Sequence, residues 1–305
     1  MRTHPEPVRR LLAVRNRIMP HVRGAFLAAV HGLRAFDERR VEDALAAGHP
    51  DLAFHLLPWD RWRHALDSHL YPSILFGMAA GGRHGERHLA VLTKAATPPP
   101  EFAVRFDLAN PEAVRAAASE VGWLIQRVDV QTRAAVAEII RRGALGQLDT
   151  RAMAREIQQL VGLDVRQTNA LLNYEWGLRR EGRAEADIVR LVQRQYDHRL
   201  RYRATMIART ESARAAILGQ NAAWRQAADA GLLDRRATLR TWVASAGACP
   251  ICADLSGQRV ALDEPFGPDL QGATPDGPPA HPNCRCALTL DLGYGTARRA
   301  AARAA

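Results

Sequence analysis

All four cysteines of this 305-residue chain lie in its last fifth, in two close pairs. The first pair is Cys249-Pro-Ile-Cys252, and the second is Cys284-Arg-Cys286, which His281-Pro-Asn precedes. The pairs meet only if the Gly/Pro-rich segment between them turns back. Four thiolates, with His281 as an alternative ligand, suit a tetrahedral zinc ion, and C-x-x-C supplies two of them from one tight turn. The sequence therefore predicts a small unit folded around a structural zinc site.

The chemistry of the cysteines leaves two further states open, namely two disulfides or reduced, unbridged thiols. The C-x-C half also departs from the usual zinc pattern, because ligands so close in sequence need an extended or strongly bent backbone. The chain starts without an apolar signal segment, so we expect synthesis in a cytoplasm, where thiols stay reduced. That expectation favours zinc over disulfides and leaves the ligand set open between four thiolates and three thiolates plus His281.

The composition is rich in Ala and Arg and holds only 6% aromatic residues, which indicates a helical rather than a sheet protein. The predicted fold class is mainly α, with long helices and a small C-terminal α+β unit stapled by a metal at the cysteines. A net charge of +10 favours a polyanion or an acidic protein as partner, with solvated arginine-rich helix faces as the alternative. No apolar run is long enough to span a bilayer, so we expect no membrane among the partners of this protein.

Proline and glycine suggest the domain boundaries. Thr97-Pro-Pro-Pro100 predicts an extended spacer, and the segment that follows it, from Phe102 to Phe106, predicts a strand or extended arm. We predict a helical region at 1–97, a helical core at 98–234, a β-rich Cys/His domain at 235–292 and a basic Ala/Arg tail at 293–305. Pro72 is expected to interrupt a helix, and the small residues of 76–82 to form a bend.

Helix starts are predicted at Asn110-Pro111, at Asp149 or Thr150, and at Asp164, where a capping residue precedes an apolar pattern. The last helix is expected to run from about Ala184 to Gly231. Strands are predicted at 238–243, 257–262 and 287–290. Six histidines, among them His84 and His88, recur between residues 49 and 88, and we interpret them as solvated or helix-packing side chains.

Two charges in the last helix do not fit its apolar pattern. Glu211 and Arg214 lie close to the stripe that Ile207 and Leu218 define, where unpaired charges are costly. One interpretation is an ion pair at the edge of the stripe. The other is that Arg209, Glu211 and Arg214 dock the tail domain onto the helix, which requires a buried Glu211.

Several motifs occur in order along the chain and together resemble a known family. They are Met206-Ile-Ala-Arg-Thr-Glu211, Trp242-Val, Cys249-Pro-Ile-Cys252, Leu255-Ser-Gly-Gln258, Leu262-Asp-Glu-Pro-Phe266 and Pro279-Ala-His-Pro-Asn-Cys-Arg-Cys286. They resemble the head morphogenesis proteins of tailed phages in the phage Mu F-like family. Phe106-Asp-Leu-Ala-Asn-Pro-Glu112 and the stretch from Leu163 to Arg203 are similar to its middle region, so the resemblance covers roughly residues 100–290.

The resemblance implies a minor capsid protein that assists head assembly at the portal or in the capsid interior. Its expected partners are the portal protein and capsid components, with packaged double-stranded DNA as a further, non-specific one. Its expected location is the virion, after assembly in the host cytoplasm. The implied roles are a zinc staple for the cysteines and an interdomain contact for Arg209, Thr210, Glu211 and Arg214.

Two other functions are weighed against this one. A zinc-stapled nuclease would need His281 as a general base and further ligands for a second metal, but no histidine follows Cys286. We therefore predict no enzymatic activity and no catalytic residues. A sequence-independent DNA binder, ejected with the genome, would act through arginine–phosphate contacts that weaken steeply with salt.

Overall fold

A computed structural model of the chain describes residues 5–94 and 106–292. The predicted spacer at 97–100, the predicted arm before Phe106 and the Ala/Arg tail at 293–305 lie outside these residues. The described chain forms nine helices and three strands: α1 (Glu6–Leu33), α2 (Glu38–Ala46), α3 (Pro50–His55), α4 (Trp59–Lys94), α5 (Pro111–Ala144), α6 (Thr150–Leu160), α7 (Val165–Arg180), α8 (Glu185–Asp229), β1 (Leu239–Val243), α9 (Pro250–Asp254), β2 (Arg259–Ala261) and β3 (Ala287–Asp291).

The fold is mainly α with a small sheet near the C-terminus, which confirms the predicted class. None of the described helices combines the length and apolar character needed to cross a membrane. The chain forms two compact units, one from the described parts of 1–22, 72–120 and 206–305 and the other from 23–71 and 121–205. We call them the tail-bearing unit and the middle unit. The domain boundaries predicted from the sequence stay a prediction.

Two helices of the middle unit, α6 and α7, begin at side-chain caps. Asp149 accepts a hydrogen bond from the backbone N of Ala152, and Asp164 forms a capping box with Gln167. Both starts confirm the sequence prediction. The core of this unit also holds a fully buried guanidinium, that of Arg203, whose Nη1 donates to the carbonyl of Gly162 at 2.6 Å.

In the tail-bearing unit, α4 packs against α8 through residues with little or no side chain. A Cβ added at Gly81 would lie 2.1 Å from the carbonyl oxygen of Ala216, and one added at Gly219 would lie 2.0 Å from that of Met78. The two backbones approach so closely that only glycine fits. We call this contact the glycine seam.

The glycine seam corrects two expectations. The segment 76–82 does not bend, and Pro72 does not interrupt the helix, since α4 runs unbroken from Trp59 to Lys94. Local rules treat glycine and proline as breakers. Here the packing of α4 along α8 compensates for their poor helix propensity, because each removed side chain brings more backbone into contact.

The three strands form an antiparallel sheet in the order β2-β1-β3, as expected for a hairpin and a closing strand. Arg240 and Trp242 are buried and alternate with half-buried neighbours on β1, so both point into the same face. Trp242 meets Phe266 edge-on at 5.3 Å between ring centroids, and both rings are buried. We call the unit that these strands form, residues 239–291, the tail, and it has an aromatic core.

Arg240 fixes the Gly/Pro-rich loop between β2 and β3. Its side chain is fully buried, and its Nη1 donates to the backbone carbonyl of Asp276 at 2.7 Å. Nη2 donates to the carbonyl of Glu264 and to the Asp276 carboxylate, while the guanidinium lies over the Phe266 ring. A buried cation is stable only with such partners. The loop between β2 and β3 is thus tied to the strand it covers.

Candidate metal centre

Two short segments carry the cysteines and the histidine. Cys249 is the N-cap of α9, and Pro250 occupies the first helical position, so Cys249 and Cys252 lie on one turn. The second segment is a turn between His281 and Cys284 that leads into β3. Asn283 has φ +66 there, a left-handed conformation that Asn adopts more readily than most residues. The sequence did not single out Asn283, although an Asn between two candidate ligands is a signal for such a turn.

The structure brings all five predicted ligands together. The Sγ atoms of Cys249 and Cys252 lie 3.1 and 3.0 Å from Nε2 of His281. The Sγ atoms of Cys252 and Cys284 are 3.6 Å apart, and Cys286 completes a second group with them. Cys252 belongs to both groups, so the five side chains form one cluster, which we call the Cys/His cluster.

The Cys/His cluster fits a zinc ion by the chemistry and spacing of its donors. Zinc–sulfur bonds of about 2.3 Å at tetrahedral angles place neighbouring ligand atoms roughly 3.5–3.8 Å apart. The separation of the Cys252 and Cys284 sulfurs, 3.6 Å, lies in this range, and the two contacts of His281 Nε2 are shorter. Nδ1 of His281 donates to the carbonyl of Pro282 at 2.8 Å, because a carbonyl can only accept. That bond leaves the Nε2 lone pair facing the thiols, as in histidines that bind metals.

Burial and mutual hydrogen bonding set the protonation of the thiols in the absence of a metal. A hydrogen bond from Cys286 lowers the pKa of Cys284 to about 5, and the same bond raises the pKa of Cys286. Burial raises the pKa of Cys252 to about 12. Cys284 is therefore held as a thiolate beside the neutral thiols of Cys252 and Cys286. A metal ion that replaces the protons of these two thiols would let their sulfurs ionise.

The four cysteines, all within the described chain, are free thiols. Cys252 and Cys284 are too far apart for a sulfur–sulfur bond of about 2.05 Å. The two-disulfide alternative is therefore not the state described here. The assignment of individual ligands stays a prediction, as does the choice between four thiolates and three thiolates plus His281.

Helix α8 holds the turn that carries the second ligand segment. The backbone N of Asn283 donates to Oγ1 of Thr210 at 3.0 Å, and Nη1 of Arg209 donates to Oδ1 of Asn283 at 2.9 Å. Glu211 is 1% exposed and lies 3.4 Å from Nε of Arg214. The burial that the docking hypothesis requires is present, and so is the ion pair of the alternative. The interdomain role of the four residues stays a prediction.

One charged residue near the Cys/His cluster, Arg15, was not predicted from the sequence. Arg15 follows Leu11 and precedes Ile18 on the apolar face of α1, and it is 8% exposed. Burial lowers the pKa of its guanidinium, while the charges of Cys284 and Cys286 act in the opposite direction. An arginine at a core position of a helical pattern is the signal that could have found it.

Comparison with known proteins gave one family. The sequence model of the family described as "Phage Mu protein F like protein" matches residues 133–289, just over half of the chain. The matched region includes the C-terminal part of α5 from residue 133, all of α6, α7 and α8, and every residue of the Cys/His cluster. No curated protein and no solved structure matches the chain significantly.

Proposed function

The chain belongs to the phage Mu protein F-like family, and on this basis we propose that it is a structural minor head protein of a tailed phage. Membership points to head morphogenesis. The finer role that we propose is non-enzymatic, in assembly at the portal or in the capsid interior. The observation that carries the proposal is that the family match takes in both the Cys/His cluster and the helix that holds it.

The closed character of the cluster supports a structural rather than a catalytic metal. Cys252, Cys284 and Cys286 are 2%, 1% and 4% exposed. A catalytic zinc keeps an open position for water, whereas a structural zinc is enclosed by protein ligands. The Nε2 atom of His281 faces two thiols, so this imidazole is poorly placed to act as the general base of a nuclease.

We propose zinc as the metal, held by Cys249, Cys252 and Cys284 with His281 or Cys286 as the fourth ligand. The ion would neutralise the thiolates and join α9 to the turn before β3. Because the ligands come from two segments about 30 residues apart in sequence, the metal would close the loop between them. The tail would then keep its shape beside a partner surface.

The proposed partners are the portal protein and other capsid components. The net charge of +10 supports a further, non-specific contact with packaged double-stranded DNA. Such a contact would weaken steeply with salt, because each arginine that binds a phosphate releases a counterion.

Co-assembly in cells tests the proposal. The full chain would be expressed together with the portal and capsid proteins encoded in the same phage genome, and particles would be separated by sedimentation. We expect the protein in the particle fraction, in few copies per head. Protein that remains at the top of the gradient while portal-containing heads form would overturn the proposal.

A variant that lacks one metal ligand tests whether the metal is needed for assembly into particles. Cys252→Ser removes the ligand that both halves of the cluster share. We expect this variant to be lost from particles, whereas Arg259→Gln, on an exposed part of the same sheet, should assemble normally. Plasmid cleavage that depends on Mg²⁺ and disappears in His281→Ala would establish the nuclease alternative instead.

A further inference from the structure

A small cavity lies in the tail-bearing unit, far along the sequence from the cysteines. It measures about 50 Å³, and its lining includes Glu6 and Arg10 from α1 and His84, Arg87 and His88 from α4. A single water needs roughly 10–15 Å³ by this measure, so the cavity has room for a few waters or for one small ion.

Both histidines line this cavity and carry ring nitrogens without hydrogen-bond partners in the described part of the chain. They are 2% and 5% exposed, and both ring nitrogens of His84 and Nδ1 of His88 have no hydrogen-bond partner among the described residues. A buried polar atom without a partner costs about 1–3 kcal/mol, so native proteins rarely leave one unpaired. Three such atoms on two side chains that line one cavity indicate that the cavity suits a polar ligand.

The protonation of the histidines narrows the choice of ligand. The pKa of both imidazoles is lowered to about 4, by burial and, for His84, also by the nearby His88, Arg87 and Arg10. Both rings are therefore neutral near pH 7, and each has one N–H to donate and one lone pair. Such rings are able to bind either a metal cation or an anion.

The surrounding charges favour an anion. A spacing of four residues on a helix suits two metal ligands, but no third cysteine, histidine or carboxylate of the described chain joins His84 and His88 in a ligand group. Two guanidinium groups, those of Arg10 and Arg87, line the cavity with a single carboxylate, that of Glu6, which pairs with Arg10. The remaining positive charge repels a cation and attracts an anion.

We propose that this cavity binds a small oxyanion of the phosphate class. The guanidinium of Arg87 and one ring N–H each from His84 and His88 would be its donors, with Arg10 and its partner Glu6 at the rim. Charge-assisted hydrogen bonds from arginine are the stronger kind and match the geometry of phosphate oxygens. This site is separate from the Cys/His cluster and does not depend on the proposed role in the head.

Calorimetric titration of the full-length, zinc-loaded protein with inorganic phosphate, in a chloride buffer of constant ionic strength, tests the proposal. We expect saturable binding at one site. Arg87→Gln should weaken it at least about tenfold, since a hydrogen bond to a charged group contributes about 1.5–3 kcal/mol. Arg83→Gln is the matched control, because Arg83 is equally exposed one turn earlier on α4 and lies outside the cavity. It should leave the affinity within about twofold.

Further measurements distinguish the source of the anion and the rival ligands. A short DNA duplex that displaces phosphate would identify the ligand as a nucleic-acid phosphodiester, and failure to displace it would identify the free ion. No saturable binding at millimolar phosphate would overturn the proposal and leave a water-filled cavity. Equal affinity of Arg87→Gln and the wild type for phosphate would overturn the proposal too. So would a protein that binds Ni²⁺ and not phosphate, if His84→Gln abolishes the Ni²⁺ binding.

Discussion

The glycine seam and the C-terminal tail, both in the tail-bearing unit, reach stability in opposite ways. The seam brings two backbones together by removing side chains, so that a single added methyl group would collide with a carbonyl at Gly81 or Gly219. The tail keeps its side chains and joins distant segments through polar ones, namely the Cys/His cluster and Arg240. Substitutions that add volume should therefore destabilise the seam, whereas substitutions that remove polar partners should destabilise the tail.

Removal of the metal should have the largest effect, and only on the tail. A structural zinc contributes on the order of 10 kcal/mol to the unit that binds it. We expect chelation of the zinc-loaded protein to change the fluorescence of the buried Trp242, while most of the helical circular dichroism remains. Trp242→Phe serves as the control that assigns the fluorescence change. Full loss of helicity on chelation would show that the seam depends on the tail.

Truncation of the buried arginine should come next. Arg240→Leu leaves the carbonyls of Glu264 and Asp276 without their donor, which should lower the free energy of unfolding by about 4 kcal/mol. Arg259→Leu, in an exposed ion pair with Asp291 on the same sheet, should cost less than about 1 kcal/mol. Urea denaturation measures both. Similar losses for the two variants would contradict the role of Arg240 as the anchor of the loop.

One substitution should have opposite signs at two helical glycines. Gly81→Ala forces a Cβ against the backbone of Ala216 and should destabilise the protein by about 3 kcal/mol. Gly24→Ala, at an exposed position of α1, meets no atom within 4 Å and should stabilise the protein by up to about 1 kcal/mol. Thermal melts compare the two. A stabilising Gly81→Ala would mean that α4 and α8 have room to separate.

The smallest expected effect concerns the bond between α8 and the ligand turn. Thr210→Val removes the acceptor of the Asn283 backbone N, and we expect a loss of about 1–2 kcal/mol together with a faster release of zinc to a chelator. Thr205→Val removes only a bond to the carbonyl of Arg201 within the helix and should leave zinc release unchanged. Thr210→Ser, which keeps the hydroxyl, should restore the wild-type rate. Equal rates of zinc release in Thr210→Val and the wild type would show that the bond between Thr210 and Asn283 does not help to hold the metal.

Helix starts were predictable because their signals are local. Asp149, Asp164 and Pro111 act on backbone groups within one turn, so the sequence alone places α5, α6 and α7. The bend expected at 76–82 was wrong because the role of Gly81 is set by Ala216, which lies on another helix. The same holds for His84 and His88, whose burial no local pattern indicates.

The sequence by itself determined which side chains of the tail are candidate metal ligands, since all four cysteines and His281 lie in two tight segments. It also determined the helical class, through periodicity and capping. Only the tertiary structure decided which buried charges have partners, as for Arg240, and which buried nitrogens have none, as for His84. The physical reason is range: caps and turns depend on neighbours along the chain, whereas desolvation and close backbone packing depend on segments that folding brings together.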